Sequence, residues 1–205
     1  MEVLLAYIHR WAEAQHQSAE ALFKTIVLSG VRQCGKTALM KQLLPEDAVF
    51  LSLDDPDMAR VAGDSAQGFL MRHRNQPCVA IDAVQKIPEL LQAVEDAAGQ
   101  APEQRRFLLA SSVDCKALPA SQAAMSSSRL GKVRLRPLTE GEMQGNPPHL
   151  IDRLLQGDLD GDVSYDECNK ALILQKAMLG GFPELLSCGE RQRGYWLDAY
   201  LDGPV

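Results

Sequence analysis

The chain has 205 residues, of which 46% are hydrophobic and 23% charged, which fits one α/β globular domain with a small appendage. Its net charge of −6 gives no general electrostatic reason to bind nucleic acid, and no apolar run is long enough to span a membrane. The N-terminus lacks the basic start and cleavage site of a signal peptide, so a cytoplasmic protein is expected.

Short apolar runs that alternate with longer helical patterns predict the elements of the chain. The first of these patterns, MEVLLAYIHRWAEAQ, has apolar residues at helical spacing and predicts an amphipathic helix. The predicted strands, all short and mostly apolar, are 25–29, 48–53, 78–82, 106–111 and 132–136. The predicted helices between them lie near 36–44, 56–74, 86–99 and 114–127. This alternation predicts a parallel sheet covered by helices on both faces.

After Glu142 the alternation weakens. QGNPPH at 144–149 predicts a turn or linker, and ALILQKAMLGGFPELL at 171–186 predicts a helical segment. This segment, with Trp196 and Tyr200 beyond it, either packs against its own chain or docks a protein partner. No internal repeat is present in the sequence.

The stretch GVRQCGKT at 30–37 matches the phosphate-binding pattern G-x-x-x-x-G-K-[ST] between a predicted strand and a predicted helix. Its two glycines allow backbone N–H groups to turn toward phosphate oxygens, and the following helix adds its positive end. Lys36 is expected to reach the β- and γ-phosphates, and the Thr37 hydroxyl to ligate Mg²⁺. The predicted nucleotide-binding residues are Gly30, Val31, Arg32, Gln33, Cys34, Gly35, Lys36, Thr37 and Ala38.

Polar residues at the carboxyl ends of two other strands complete the predicted site. Asp82 closes CVAID and is expected to hold Mg²⁺ through water, while Ser111, followed by Ser112, is expected to sense the γ-phosphate. The predicted catalytic residues are Lys36, Asp82 and Ser111. Many P-loop ATPases have a glutamate after this aspartate that polarises the attacking water, but this chain has Ala83.

Ala83 is expected to affect ATP hydrolysis but not nucleotide binding. Loss of a general base costs a factor of about 10² to 10⁴ in rate, whereas the phosphate and Mg²⁺ contacts do not depend on it. We therefore expect ATP or ADP to bind with Mg²⁺ and hydrolysis to be slow or absent. Gln85 could position water instead, as could Asp54 or Asp55 at the end of the second strand. A structural role for Gln85, and capping of the helix after Pro56 by the aspartates, are the alternatives.

The cysteine pattern favours free thiols. Five cysteines are scattered along the chain, with no Cys-x-x-Cys pair and no Cys/His ligand spacing: Cys34, Cys78, Cys115, Cys168 and Cys188. We expect reduced cysteines, as in a cytosolic protein, and no zinc site.

Several of these pieces occur together in one family. They are LSGVRQCGKTAL (28–39), LSLDDPD (51–57), IDAVQKIPELL (81–91), FLLASS (107–112), LRPLTEGEM (135–143) and GGFPELL…ERQRGYWLDAYLD (180–202). In them the chain resembles the bacterial and archaeal AAA+ ATP-binding proteins that join an N-terminal ATPase domain to a C-terminal domain of unknown function. The resemblance implies a P-loop α/β sandwich with about five parallel strands in the order 5-1-4-3-2. It also implies ATP binding and hydrolysis, but no particular process.

The chain departs from this family at three places. Ala83 replaces the glutamate of the usual IDEVQ. The family tends to have a glycine–arginine pair before the RPL segment, where this chain has Lys132 after Gly131, or Arg129 before it, so the arginine that contacts a γ-phosphate is not identified. Family members also continue beyond LDAYLDGPV into the second domain.

The resemblance therefore implies a P-loop ATPase domain at 1–143, including the N-terminal helix, and a linker with a helical extension at 144–205. From this comparison, the second domain of the family is expected to be missing. Because neither the arginine that would contact the γ-phosphate nor that second domain is identified in the sequence, a monomer or weak oligomer is expected.

Two other function classes stay open. A P-loop kinase would use Asp54 or Asp55 as base and draw lid or substrate contacts from Arg72, Arg74, Arg105 and Arg106, although the stretch 111–125 has no arginine-rich lid. A non-enzymatic, nucleotide-gated interaction module, or one whose P-loop is a relic, would dock a partner through the C-terminal helical segment.

Overall fold

The computed structural model describes residues 7–100, 105–113, 129–146, 150–157 and 169–203. The chain divides into two compact units: Ala12–Arg136 forms one, and the residues before Ala12 together with those after Arg136 form the other. The predicted domain division between residues 143 and 144 stays a prediction, since a compact unit need not be an independent domain.

A five-stranded parallel sheet lies at the centre of the Ala12–Arg136 unit. Its strands are β1 Thr25–Ser29, β2 Val49–Ser52, β3 Cys78–Asp82, β4 Arg106–Ser111 and β5 Leu130–Arg134. The order is β2-β3-β4-β1-β5, which is 5-1-4-3-2 when read from the other edge. The predicted sheet and its strand order are therefore confirmed.

Helices connect the strands. They are α1 Ala12–Glu20, α2 Lys36–Leu43, α3 Pro56–Asp64, α4 Ala66–Arg72 and α5 Glu89–Gln100, with a 3-10 turn at Val84–Lys86. On α5, the residues Leu90, Leu91 and Val94 are buried at helical spacing against the sheet. Each such buried side chain contributes about 1.5–3 kcal/mol, so this face anchors the helix.

Two helix predictions are wrong in detail. The predicted helix 56–74 is two helices, because Ser65 is extended (φ −161°) and its hydroxyl accepts a hydrogen bond from Gly68 N at 3.0 Å. The predicted helix 86–99 begins as an α-helix only at Glu89, because Pro88 disfavours helical backbone at the preceding residue, and Ile87 has φ −136°.

Predictions at both ends of the unit also need correction. Residues 7–10 are not helical and the first described helix begins at Ala12, rather than running through Trp11. Strand β5 begins two residues earlier than predicted, because Leu130 already pairs with Thr25 of β1. The predicted helix at 114–127 lies outside the described residues.

In the second unit, α6 Glu140–Met143 is followed by α7 Leu150–Gln156, α8 Lys170–Leu179, a 3-10 turn at Pro183–Ser187 and α9 Glu190–Asp202. The rings of Phe182, Trp196 and Tyr200 lie 5.1 Å from one another, and Trp196 Nε1 donates to Glu184 Oε2 at 2.8 Å. Trp196 and Tyr200, for which the sequence left packing or docking open, therefore pack within their own unit.

A buried carboxylate ties the N-terminal segment to α6. Glu142 Oε1 accepts from Arg10 Nε at 3.2 Å and from Trp11 N at 2.8 Å. Its other oxygen accepts from Thr139 N at 2.8 Å and from the Thr139 hydroxyl. Both carboxylate oxygens are thus satisfied, which a buried charge requires.

No helix in the described part of the chain is long and apolar enough to cross a membrane. Among the same residues, Cys34, Cys78 and Cys188 form no disulfide bond. Burial raises the pKa of Cys78 to about 11, so this thiol stays protonated at neutral pH.

We expect Glu142→Ala to lower the free energy of unfolding by about 3–5 kcal/mol, because it removes the acceptor of a buried cation and of two backbone N–H groups. Glu140→Ala, on the same helix, is the matched control. Its ion pair with Lys176 is partly exposed, so we expect a loss of at most about 1 kcal/mol. Urea unfolding of both variants measures the difference, and equal losses would contradict the account.

Candidate nucleotide-binding site

The loop between β1 and α2 has the backbone shape of an anion-binding turn. Gln33 (φ 58°) and Gly35 (φ 99°) are left-handed, and α2 begins at the next residue, Lys36. Left-handed residues within a tight turn are typical of nests, in which backbone N–H groups face an anion. The helix N-terminus lies at the same point and adds a positive dipole end.

Gly30 is required by the residue that follows β5. A Cβ at position 30 would lie 2.3 Å from Leu135 O, well inside van der Waals contact. The Cys34 thiol, which is fully buried, donates to the same carbonyl at 3.7 Å. Leu135 therefore supports the loop through its backbone, a role for which the sequence offers no signal because only the pairing of β5 with β1 creates it.

The Lys36 amine is held against the loop. It donates to Gly30 O at 3.0 Å and to Val31 O at 2.8 Å, and the residue is 7% exposed. Burial lowers the pKa of Lys36, while the negative charges of Asp82 and Asp54 act in the opposite direction. Two carbonyl acceptors thus satisfy a cation that is largely removed from water.

The structure brings Thr37 and Asp82 together across 45 residues of sequence. The Thr37 hydroxyl donates to Asp82 Oδ2 at 2.5 Å, and Asp82 Oδ1 accepts from Ala83 N at 2.8 Å. A hydroxyl and a carboxylate are hard oxygen donors of the kind Mg²⁺ prefers. The described residues contain no cluster of three His, Cys, Asp or Glu side chains that could hold a metal ion. The pair therefore fits Mg²⁺ that arrives with phosphates and keeps waters, rather than an all-protein cage.

Ala83 offers the site no acidic group. It is left-handed (φ 59°), 6% exposed, and its methyl belongs to the apolar core. Gln85 is engaged elsewhere: its Oε1 accepts from Ser112 N at 3.3 Å, which links the turn after β3 to the end of β4. The Ser111 hydroxyl donates to Val113 O at 2.8 Å, within its own turn.

The two aspartates after β2 have different partners. Asp55 Oδ1 accepts from Asp57 N at 2.9 Å and caps α3. Asp54 Oδ1 lies 2.6 Å from Lys86 Nζ in the turn that follows Ala83. Sequence alone could not separate these neighbouring, identical residues.

The candidate arginines do not gather at this loop. Arg129 precedes β5 and lines a cavity with Thr25 at the amino end of the sheet, whereas the loop follows the carboxyl end of β1. Lys132 pairs with Val27 in mid-strand. Arg105 and Arg106 lie at the amino end of β4, where Arg105 donates to His73 O at 3.0 Å.

Comparison with known proteins identifies the family of the chain. A family model described as an AAA domain matches residues 22–144. The chain belongs to this AAA domain family. The resemblance to AAA+ ATP-binding proteins is thereby confirmed, and a domain of this kind supports nucleotide binding in general. No curated protein matches the chain by sequence.

Solved structures agree on the fold. The chain is similar to the Walker-type ATPase of Pyrococcus abyssi, with a TM-score of 0.51 and 13% identity, over 86% of this chain and 65% of that one. It is also similar to the replication initiator DnaA bound to AMPPCP and single-stranded DNA, with a TM-score of 0.50 and 16% identity, over 98% of this chain and 64% of that one. The chain therefore spans less than two thirds of either relative. At such low identity, the likeness establishes the P-loop ATPase fold alone.

We expect Gly30→Ala to destabilise the protein by about 1–3 kcal/mol, because its Cβ would overlap the Leu135 carbonyl. Gly63→Ala is the control: it lies inside α3, and its Cβ would only reach Ile87 Cδ1, at 4.0 Å. Because alanine has a higher helix propensity than glycine, this substitution should raise the free energy of unfolding by at most about 1 kcal/mol. Chemical denaturation of the two variants should show opposite signs, and a Gly30→Ala protein as stable as the parent would refute the close approach.

Proposed function

We propose that the chain is an AAA+ domain that binds ATP–Mg²⁺ on the loop Gly30–Thr37 and hydrolyses it slowly. One observation carries this proposal: Thr37 and Asp82, from α2 and β3, meet at 2.5 Å beside a buried Lys36. A hydroxyl, a carboxylate and an ammonium group in this arrangement suit a triphosphate that carries Mg²⁺.

In this proposal the loop N–H groups and the N-terminus of α2 hold the phosphate oxygens. Lys36 exchanges the carbonyls of Gly30 and Val31 for the β- and γ-phosphates. The Thr37 hydroxyl, now bonded to Asp82, would ligate Mg²⁺, and Asp82 would hold the ion through water. When bound, Mg²⁺ neutralises charge that develops on the transferred phosphoryl group. Ser111 is the proposed γ-phosphate sensor.

Slow hydrolysis follows from the apolar group at position 83. A methyl cannot accept a proton from water, and the rate loss for a missing general base is about 10²- to 10⁴-fold. Nucleotide binding should persist, because none of the phosphate-binding groups depends on Ala83.

The remaining proposals concern partners. Helix α8 exposes the apolar residues Ile173, Leu174 and Met178, which supports a protein partner for the C-terminal helical segment. The acidic chain gives no support for nucleic acid, although DnaA was solved with single-stranded DNA. A cytoplasmic location and a monomeric or weakly oligomeric state remain predictions.

We expect Lys36→Ala to abolish saturable ATP–Mg²⁺ binding, because the replacement removes the cation that pairs with the phosphates. Lys41→Ala, five residues further along α2 and exposed, should bind like the parent. Isothermal titration calorimetry checks both. Unchanged affinity in Lys36→Ala would rule out the loop as the nucleotide site.

We expect Ala83→Glu to raise ATP turnover by about 10²- to 10⁴-fold with little change in nucleotide affinity. Ala83→Gln has the same size but no basic carboxylate, so it should stay at the parental rate. Phosphate release under saturating ATP–Mg²⁺ gives the rates, and thermal melting shows whether each variant is folded. A folded Ala83→Glu protein at the parental rate would mean that the missing base does not limit hydrolysis.

A further inference from the structure

The segment that leaves β2 passes directly beside the Mg²⁺-binding edge of the proposed site. Ser52 pairs with Asp82 in the sheet, and Leu53 N donates to Asp82 O at 3.1 Å. The next residue, Asp54, therefore emerges next to the end of β3. This placement follows from the parallel register and does not depend on any flexible side chain.

Asp54 is not used to cap the following helix. That task belongs to Asp55, whose Oδ1 accepts from Asp57 N at 2.9 Å. The Asp54 carboxylate instead lies 2.6 Å from Lys86 Nζ, and Lys86 ends the 3-10 turn that starts directly after Ala83. The ion pair thus holds a carboxylate against the very segment that lacks the usual glutamate.

Two further properties fit a role in hydrolysis. The Asp54 side chain is 69% exposed, so water can reach the carboxylate beside its contact with Lys86. Its negative charge also acts on the Lys36 amine, which places it within electrostatic reach of the phosphate-binding loop. A partly hydrated carboxylate at the edge of a phosphate site has the requirements of a water-orienting base.

We propose that Asp54 is the catalytic carboxylate of the slow ATP hydrolysis, in place of the glutamate that Ala83 replaces. The inference rests on the proposed function. Asp54 accepts a hydrogen bond from the attacking water and takes its proton as the water oxygen bonds to the γ-phosphorus. The bond between the γ-phosphorus and the β–γ bridging oxygen breaks, and its electron pair stays on ADP. The proton then passes to solvent, leaving ADP and inorganic phosphate. Lys86 is a positioning residue.

The test compares Asp54→Asn with Asp55→Asn. Asparagine caps helices as well as aspartate does, so the Asp55 variant removes one negative charge next door without loss of the cap. Both substitutions are also made in the Ala83→Glu background, where a glutamate should do the same work. The readouts are phosphate release at saturating ATP–Mg²⁺ and the Kd for ATP–Mg²⁺, with Lys36→Ala as the background for contaminating activity.

We expect Asp54→Asn to lower turnover at least tenfold at unchanged Kd, and Asp55→Asn to stay within about twofold of the parent. In the Ala83→Glu background the loss from Asp54→Asn should shrink to about threefold or less, which a merely structural role would not produce. An Asp54→Asn protein that hydrolyses at the parental rate overturns the proposal. The proposal is also overturned if the parent binds ATP without measurable hydrolysis. It is overturned as well if Asp54→Asn lowers turnover equally with and without Ala83→Glu. If the parent does not bind ATP at all, the proposed function itself fails.

Discussion

The parallel pairing of β1 on both of its sides is the constraint on which the rest of the structure depends. β4 lies along one edge of β1 and β5 along the other, with Ser29 level with Ser111 and with Arg134. The chain that leaves β1 must therefore turn between two neighbouring strand ends. This fixes Gly30 against the Leu135 carbonyl, where no Cβ fits, and sets the start of α2 at Lys36.

From that turn, the polar groups of the site satisfy one another. Lys36 donates to the carbonyls of its own loop, and the Thr37 hydroxyl donates to Asp82. The two buried members of this set, Lys36 and Asp82, thus each have a hydrogen-bond partner in the protein, which avoids the cost of an unpaired buried cation or carboxylate. A triphosphate with its metal would have to replace these contacts one for one, so the same residues that stabilise the fold would carry recognition.

Much of this could be predicted from the sequence, because the relevant signals are local. The predicted bounds of β1, β3 and β4 are confirmed, since these buried strands are continuous apolar runs that end at turn residues. The phosphate-binding pattern is likewise contained in eight consecutive residues. The strand order came from resemblance to a family rather than from the residues themselves.

What escaped prediction depends on contacts between distant segments. The start of β5 is decided by its register with β1, and the non-helical backbone before Ala12 by the hydrogen bond of Trp11 N with Glu142. The different partners of Asp54 and Asp55 arise from a lysine 32 positions further along the chain, a separation that carries no pattern. The apolar periodicity of 56–74 also predicted one helix and missed the break at Ser65. A helix break with a cap leaves the spacing of the buried residues nearly unchanged.

The most direct test of the central claim is the affinity of the parent protein for a non-hydrolysable ATP analogue, measured by calorimetry with Mg²⁺ and with a metal chelator. If Thr37 and Asp82 bind the metal together with the phosphates, binding should be saturable at one site and clearly tighter with Mg²⁺. An equal Kd under both conditions, or no binding in either, would contradict the account.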